Sequence, residues 1–147
     1  MKKTKIIMSC LFVLLCCSPA AADDFCFADA ENHFNIDRRI LKAISIVESG
    51  GNNKALRTMM NGKRTKRVDT GHMQINSWWG FTKEELGDPC FQTMAGAAIL
   101  SDCFKSYGNG IDALACYNTG KSLNALPLQR KEKAKRYVAK IYKELLR

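Results

Sequence analysis

The chain has 147 residues, 46% of them hydrophobic and 25% charged, with a formal net charge of +9 and seven cysteines. That length suits one compact domain, and the composition excludes a disordered or low-complexity chain. No apolar run reaches the ~20 residues of a membrane-spanning helix, and an odd number of cysteines cannot pair completely.

The first residues bear on the odd count. Lys2, Lys3 and Lys5 precede an apolar run from Ile6 to Cys17, and Ala20, Ala21 and Ala22 form a small-residue cleavage site. This is the pattern of a secretory leader over residues 1–22, leaving a mature domain over 23–147. The leader would carry off three lysines and three cysteines, so the exported, periplasmic chain would have a charge of +6 and four cysteines: Cys26, Cys90, Cys103 and Cys116. Four cysteines in an oxidising compartment read as two disulfides in one of three connectivities. No metal or cofactor is expected: there is no CxxC pair, and His33 and His72 lack ligand spacing.

In chain order the mature region reads as helices joined by polar loops. Cys26 to Phe34 forms a short amphipathic helix. Asp37 is placed to cap a second helix whose apolar positions Ile40, Leu41, Ile44 and Val47 keep helical spacing, and Ser49-Gly50-Gly51 stops it. Residues 52–70 are polar, basic and aperiodic, and are expected to be a loop. Thr82 to Glu85 has capping-box spacing and should open a short helix. Asp88-Pro89 opens the next, with Phe91, Met94, Ala95, Ala98 and Phe104 facing inward. Asn109 to Tyr117 is a short helix ended by Asn118-Thr119-Gly120. A final helix from Gln129 carries Ala134, Tyr137, Val138, Ile141 and Leu145. No segment alternates with period two, so the expected fold is one all-α or mainly α domain.

Glu48 is the residue with the clearest chemical implication. It lies at the C-terminal end of an apolar helix, against the negative end of the macrodipole, and its helical neighbours promise partial desolvation. Both effects disfavour the anion. An acid kept protonated near neutral pH is what cleavage of a glycosidic bond needs, because the leaving oxygen must be protonated.

Two further motifs follow: Gly71-His72-Met73-Gln74-Ile75-Asn76, and Ala113-Leu114-Ala115-Cys116-Tyr117-Asn118-Thr119-Gly120. The order Glu-Ser, Gly-x-Met-Gln-Ile-Asn and Ala-x-x-x-Tyr-Asn-x-Gly resembles the soluble lytic transglycosylase family, with its lysozyme-like fold, over essentially the whole mature chain. Length, leader and the Asp-Pro-Cys at Cys90 look most like the small members that serve type III or type IV secretion, conjugation or type IV pili. The resemblance implies that Glu48 is the general acid and then the general base. It implies that Ser49 orients the carboxyl and that Gly71 allows a sugar close to the backbone. Met73 and Gln74 would line the cleft, although Met73 reads equally well as core, and Ile75 reads as core. Tyr117 would hydrogen-bond near Glu48, with Asn118 and Gly120 shaping the wall. The family chemistry cleaves between N-acetylmuramic acid and N-acetylglucosamine, using the substrate's acetamido group and its C6 hydroxyl, and leaves a 1,6-anhydro end.

Asp69, just before Gly71, is either a second cleft acid that would favour lysozyme-type hydrolysis or an Asx-turn residue. His72 and Cys116 depart from the family pattern without removing a catalytic group. Two-cysteine small members carry theirs where Cys26 and Cys90 stand, which implies the pairs Cys26–Cys90 and Cys103–Cys116. The partners implied are peptidoglycan strands and an envelope-spanning machine, with the enzyme a monomer.

Other readings compete. Cys116 with His72 could serve a peptidase; the same fold could bind the wall without catalysis. The cluster Lys54, Arg57, Lys63, Arg64, Lys66 and Arg67 could contact nucleic acid. It lacks interleaved aromatics and a recognition helix, so a solvated loop or attraction to acidic wall peptides is expected instead.

Overall fold

The computed structural model describes residues 25–61 and 65–147; the leader expected over 1–22, and Lys63 and Arg64, lie outside them. The described residues form α1 (Phe27–Phe34), α2 (Arg38–Ser49), β1 (Leu56–Asn61), β2 (Thr65–Thr70), β3 (Ile75–Asn76), α3 (Pro89–Tyr107), α4 (Ile111–Thr119) and α5 (Leu128–Leu145). The described residues are mainly α, as expected, with one small sheet.

Local signals place most helix ends. The Asp37 carboxylate accepts from the Arg39 amide at 2.8 Å, satisfying one of the free donors at the start of α2. At its other end Gly50 and Gly51 adopt φ of 69° and 77°, and their amides donate to the Ile46 and Ser45 carbonyls at 2.8 and 3.2 Å. This left-handed cap, open to glycine at little cost, leaves Glu48 in the last turn. Asp88 accepts from the Cys90 amide at 2.9 Å, with Pro89 opening α3.

The capping box at Thr82 is formed, but it starts less than expected. Thr82 Oγ1 accepts from the Glu85 amide at 3.1 Å, and Glu85 Oε2 accepts from the Thr82 amide at 2.7 Å. Only a 3₁₀ turn, Glu85–Gly87, follows. Pro89 disfavours helical backbone at Asp88, which sits at φ −88°, ψ 119° and breaks the run.

Helix α3 is the central element. The expected inward face is only part of its burial: Gln92, Thr93, Gly96, Ala97, Leu100 and Cys103 are buried as well as Ala95, whereas Phe91, Met94, Ala98 and Phe104 are partly buried. A helix enclosed on several sides loses its one-sided stripe. It packs against α1 on one side and α4 on another, while α5 packs on α2 and α4. Ala134, Tyr137, Val138 and Ile141 make the buried stripe of α5, meeting Leu41 and Ile44 of α2 in the common core.

The stretch 52–70 is not a loop. β1 and β2 form an antiparallel hairpin with Arg57 opposite Asp69 and Met59 opposite Arg67, and β2 continues to β3 with Asp69 opposite Asn76. Leu56, Arg57, Thr58 and Met59 are all exposed. Apolar–polar alternation marks a strand with a buried apolar face; Leu56 to Met59 have none, and the buried Asp69 of β2 is polar.

Disulfides join Cys26 to Cys90 and Cys103 to Cys116, with Cα separations of 5.0 and 5.8 Å. The first pins the start of α1 to the start of α3 across 64 residues; the second staples α3 to α4. Such bonds suit an exported protein. None of the described helices is long and apolar enough to cross a membrane.

Candidate active site

A cleft of about 820 Å³ runs between the helical body and the hairpin. Glu48 comes to it from the end of α2, Tyr117 and Asn118 from α4, and Asp69 and Arg57 from the sheet. Of the residues singled out from sequence, Glu48, Asp69, Gln74, Tyr117, Asn118 and Gly120 share this cleft.

Three are placed elsewhere. Met73 is wholly buried, so it packs in the core and does not line the cleft. Gly71 is needed by the interior: it has φ 77°, and a Cβ there would overlap the Gln92 carboxamide. Gln92 fills that space because its Oε1 accepts from the His72 amide at 2.7 Å, while its Nε2 donates to the carbonyls of Leu86 and Asn53 at 2.7 and 3.0 Å. Ser49 does not hold the Glu48 carboxyl. Its Oγ donates to the His72 carbonyl at 3.0 Å and accepts from the Asn52 amide at 3.0 Å, tying the end of α2 to the Met-Gln turn.

Gln74 and Tyr117 reach the cleft but spend polar atoms on the backbone. Gln74, at φ 50°, donates through Nε2 to the Gly71 carbonyl at 2.9 Å. The Tyr117 hydroxyl donates to the Met73 carbonyl at 2.9 Å. Gly96 makes room for this arrangement, since a Cβ there would crowd Met73 and lie 3.0 Å from the Tyr117 hydroxyl.

The two carboxylates are held differently. The Glu48 side chain is only 6% exposed, and burial raises its pKa. The Tyr137 hydroxyl and the Arg57 guanidinium pull in the opposite direction, and the Asp69 charge adds to the rise. Arg57 Nη2 is 3.5 Å from Glu48 Oε2, a weak contact, but 3.1 Å from Asp69 Oδ2, to which its Nε also donates at 3.2 Å. The other Asp69 oxygen accepts from Asn76 Nδ2 at 2.6 Å. Asp69 is thus gripped on both oxygens, and Glu48 is the less anchored acid. The buried Tyr137 hydroxyl faces the Glu48 carboxyl as a donor and lowers its pKa, but without a hydrogen bond of good geometry.

His72 is wholly enclosed. Its Nε2 faces the Pro89 carbonyl at 3.1 Å, which demands a donor, so Nδ1 accepts from Ser45 Oγ at 2.9 Å. Burial lowers its pKa, keeping it neutral. With His72 buried and Cys116 locked in a disulfide, no Cys–His nucleophile is formed.

Several cleft residues were not singled out from sequence as site residues. Arg57 gained its place only through strand register. Trp78 and Trp79 lie in the 3₁₀ turn Ser77–Trp79, are 71% and 45% exposed, and meet edge to face with centroids 5.5 Å apart. Asn76 builds their perch by accepting from the Trp78 amide at 2.9 Å while holding Asp69. Adjacent tryptophans directly between Asn76-Ser77 and Gly80, outside any helical apolar stripe, were the available signal.

A helix-borne buried acid, in a cleft walled on one side by a short antiparallel sheet and lined by exposed aromatics, defines a glycan-cleaving enzyme of lysozyme-like build. The "Transglycosylase SLT domain" model matches residues 25–140, and the chain belongs to this family of lytic transglycosylases. It is 34% identical over 145 residues to Protein IpgF of Shigella flexneri, covering 93% of this chain and 90% of that one. It is 36% identical over 137 residues to Invasion protein IagB of Salmonella typhimurium (strain SL1344), covering 88% and 79%. A Peptidoglycan-binding-like protein of Escherichia coli O157:H7 is 29% identical over 155 residues, covering 97% and 90%.

Proposed function

We propose that the enzyme cleaves the β-1,4 bond between N-acetylmuramic acid and N-acetylglucosamine in peptidoglycan, with Glu48 as its one acid–base group. The observation that carries this reading is the burial of Glu48 at the cleft, which favours its protonated form. The protonated carboxyl donates to the bridging oxygen as the bond from muramic C1 breaks, while the substrate's acetamido group stabilises the positive charge at C1. The resulting carboxylate removes the proton from the C6 hydroxyl of the same muramic residue as O6 bonds to C1. Glu48 is restored, no water is consumed, and a 1,6-anhydro end is released.

The state of Asp69 favours this route over hydrolysis with a second carboxylate. Both of its oxygens are engaged, by Arg57 and by Asn76, which suits a group that organises the sheet wall more than a nucleophile. Local opening of the wall for an envelope-spanning apparatus fits the small size of the domain and its likeness to an invasion protein. Mass spectrometry of the muropeptides released from purified sacculi tests the reaction: anhydro ends are expected, and reducing ends would replace this mechanism with hydrolysis through Asp69.

A further inference from the structure

The charges around the cleft are layered. Its floor holds two carboxyls and the cation that faces them: Glu48 and Asp69 are each only 6% exposed, and Arg57 is committed to both. Its rim is basic. Arg67 and Arg130 line the same cleft, are exposed, and form no ion pair with any described residue. Arg67 lies two residues before Asp69 on β2, so strand alternation turns it to the face that also carries Arg57, Met59 and Asp69. Arg130 lies in the first turn of α5, which has no acidic residue there and no side-chain cap. A cation at that end opposes the helix dipole, so helix stability does not account for it.

This pattern discriminates between polymers. A polyphosphate threading the cleft would find Arg57 already spent on Asp69, and would bring negative charge past that carboxylate, and past Glu48 once its proton is given up, at every nucleotide. A neutral chain with carboxylates on side branches would meet no such repulsion, and its branches would emerge at the rim. Guanidinium groups suit that role because they grip carboxylates through paired hydrogen bonds. We propose that Arg67 and Arg130 bind the carboxylates of acidic peptides that branch from the glycan, so that the enzyme selects peptide-bearing strands over bare ones. This rests on the reading of the cleft as a glycan-cleaving site and adds a substrate class to it.

The test uses soluble glycan chains of matched length in three forms: with acidic peptides, with the peptide carboxylates converted to amides, and with the peptides removed. For the native enzyme, kcat/KM on the first is expected to exceed that on the other two by roughly three- to tenfold, and exposed ion pairs predict that the gap narrows in 0.3 M NaCl. In the double variant Arg67→Gln/Arg130→Gln the ratio between acidic and amidated chains should fall to about one. Equal native rates on all three forms would overturn the proposal and leave the glycan-cleaving reading intact. An unchanged ratio in the double variant would overturn it as well. Strong competition by single-stranded DNA would assign the arginines to polyphosphate instead. Failure to cut any of the three chains would remove both readings together.

Discussion

The cleft has two walls, and each contributes one carboxylate of equal exposure. On the helical wall Glu48 is surrounded by the core of α2 and α5, is desolvated, and meets its nearest cation only at 3.5 Å. On the sheet wall Asp69 is clasped by Arg57 across one strand and by Asn76 across the other. Equal burial therefore does not mean equal chemistry. A desolvated carboxyl with few donors favours its protonated form and can give up a proton; one held by a guanidinium and an amide is organised as an acceptor.

The largest effect should separate the walls. Glu48→Gln is expected to lower kcat on peptidoglycan by roughly 10²- to 10⁴-fold, the range for a lost general acid, whereas Asp69→Asn should cost about tenfold or less. Equal losses in a muropeptide-release assay would erase the distinction. The same Glu48 variant should be more stable than the native protein. Burial raises the folded pKa of Glu48, so the stability it contributes when protonated is present below its ordinary value of 4.5 and is lost as pH rises through the folded value. Melting at pH 8 should favour Glu48→Gln, and the advantage should shrink toward pH 4.

Next is the bond that holds α1 to α3. The Cys26–Cys90 loop encloses α2 and the sheet, and opening it in a Cys26→Ala/Cys90→Ala variant should cost about 4 kcal/mol in the chain-entropy account. Denaturant titration reads that loss directly. A smaller loss, roughly 2–4 kcal/mol, is expected for Gly71→Ala, which combines a left-handed backbone with overlap of Gln92. A Tm within about 2 °C of native would refute the interior role given to Gly71.

The smallest change should come from Tyr137→Phe. Its hydroxyl faces the Glu48 carboxyl as a poorly aligned donor and holds the Glu48 pKa down. Removing it should raise that pKa further, so the alkaline limb of kcat/KM, where the acid is lost, should move to higher pH. Stability should stay level or rise. A shift to lower pH would mean that the hydroxyl opposes the carboxylate.

The sequence made the two walls unequally legible. α2 and α5 each bury one stripe, so Ile40, Leu41, Ile44 and Val47, and Ala134, Val138 and Ile141, announce their helices by spacing alone. α3 hides its orientation because it is buried on several sides. The hairpin gives no such sign: Leu56 to Met59 are exposed and the buried position on β2 is the polar Asp69, so no apolar position repeats. Glu48 was readable because its setting is local, an apolar helix followed by two glycines. Arg57, Asn76 and the Tyr137 hydroxyl acquire their meaning from pairing across the sheet or packing between distant helices, which local patterns do not encode. Motif membership also misleads where packing decides: Gly71, Met73 and Ser49 belong to the motifs but serve the interior and the backbone around the acid.

The openness of the hairpin has a consequence for how such a molecule can diversify. Leu56, Thr58 and Met59 hold almost nothing of the core together, so substitutions there leave the helical frame and the setting of Glu48 largely undisturbed. Binding preferences can drift on one side of the cleft while the proposed acid on the other stays fixed. The two walls can thereby vary at different rates within one cleft.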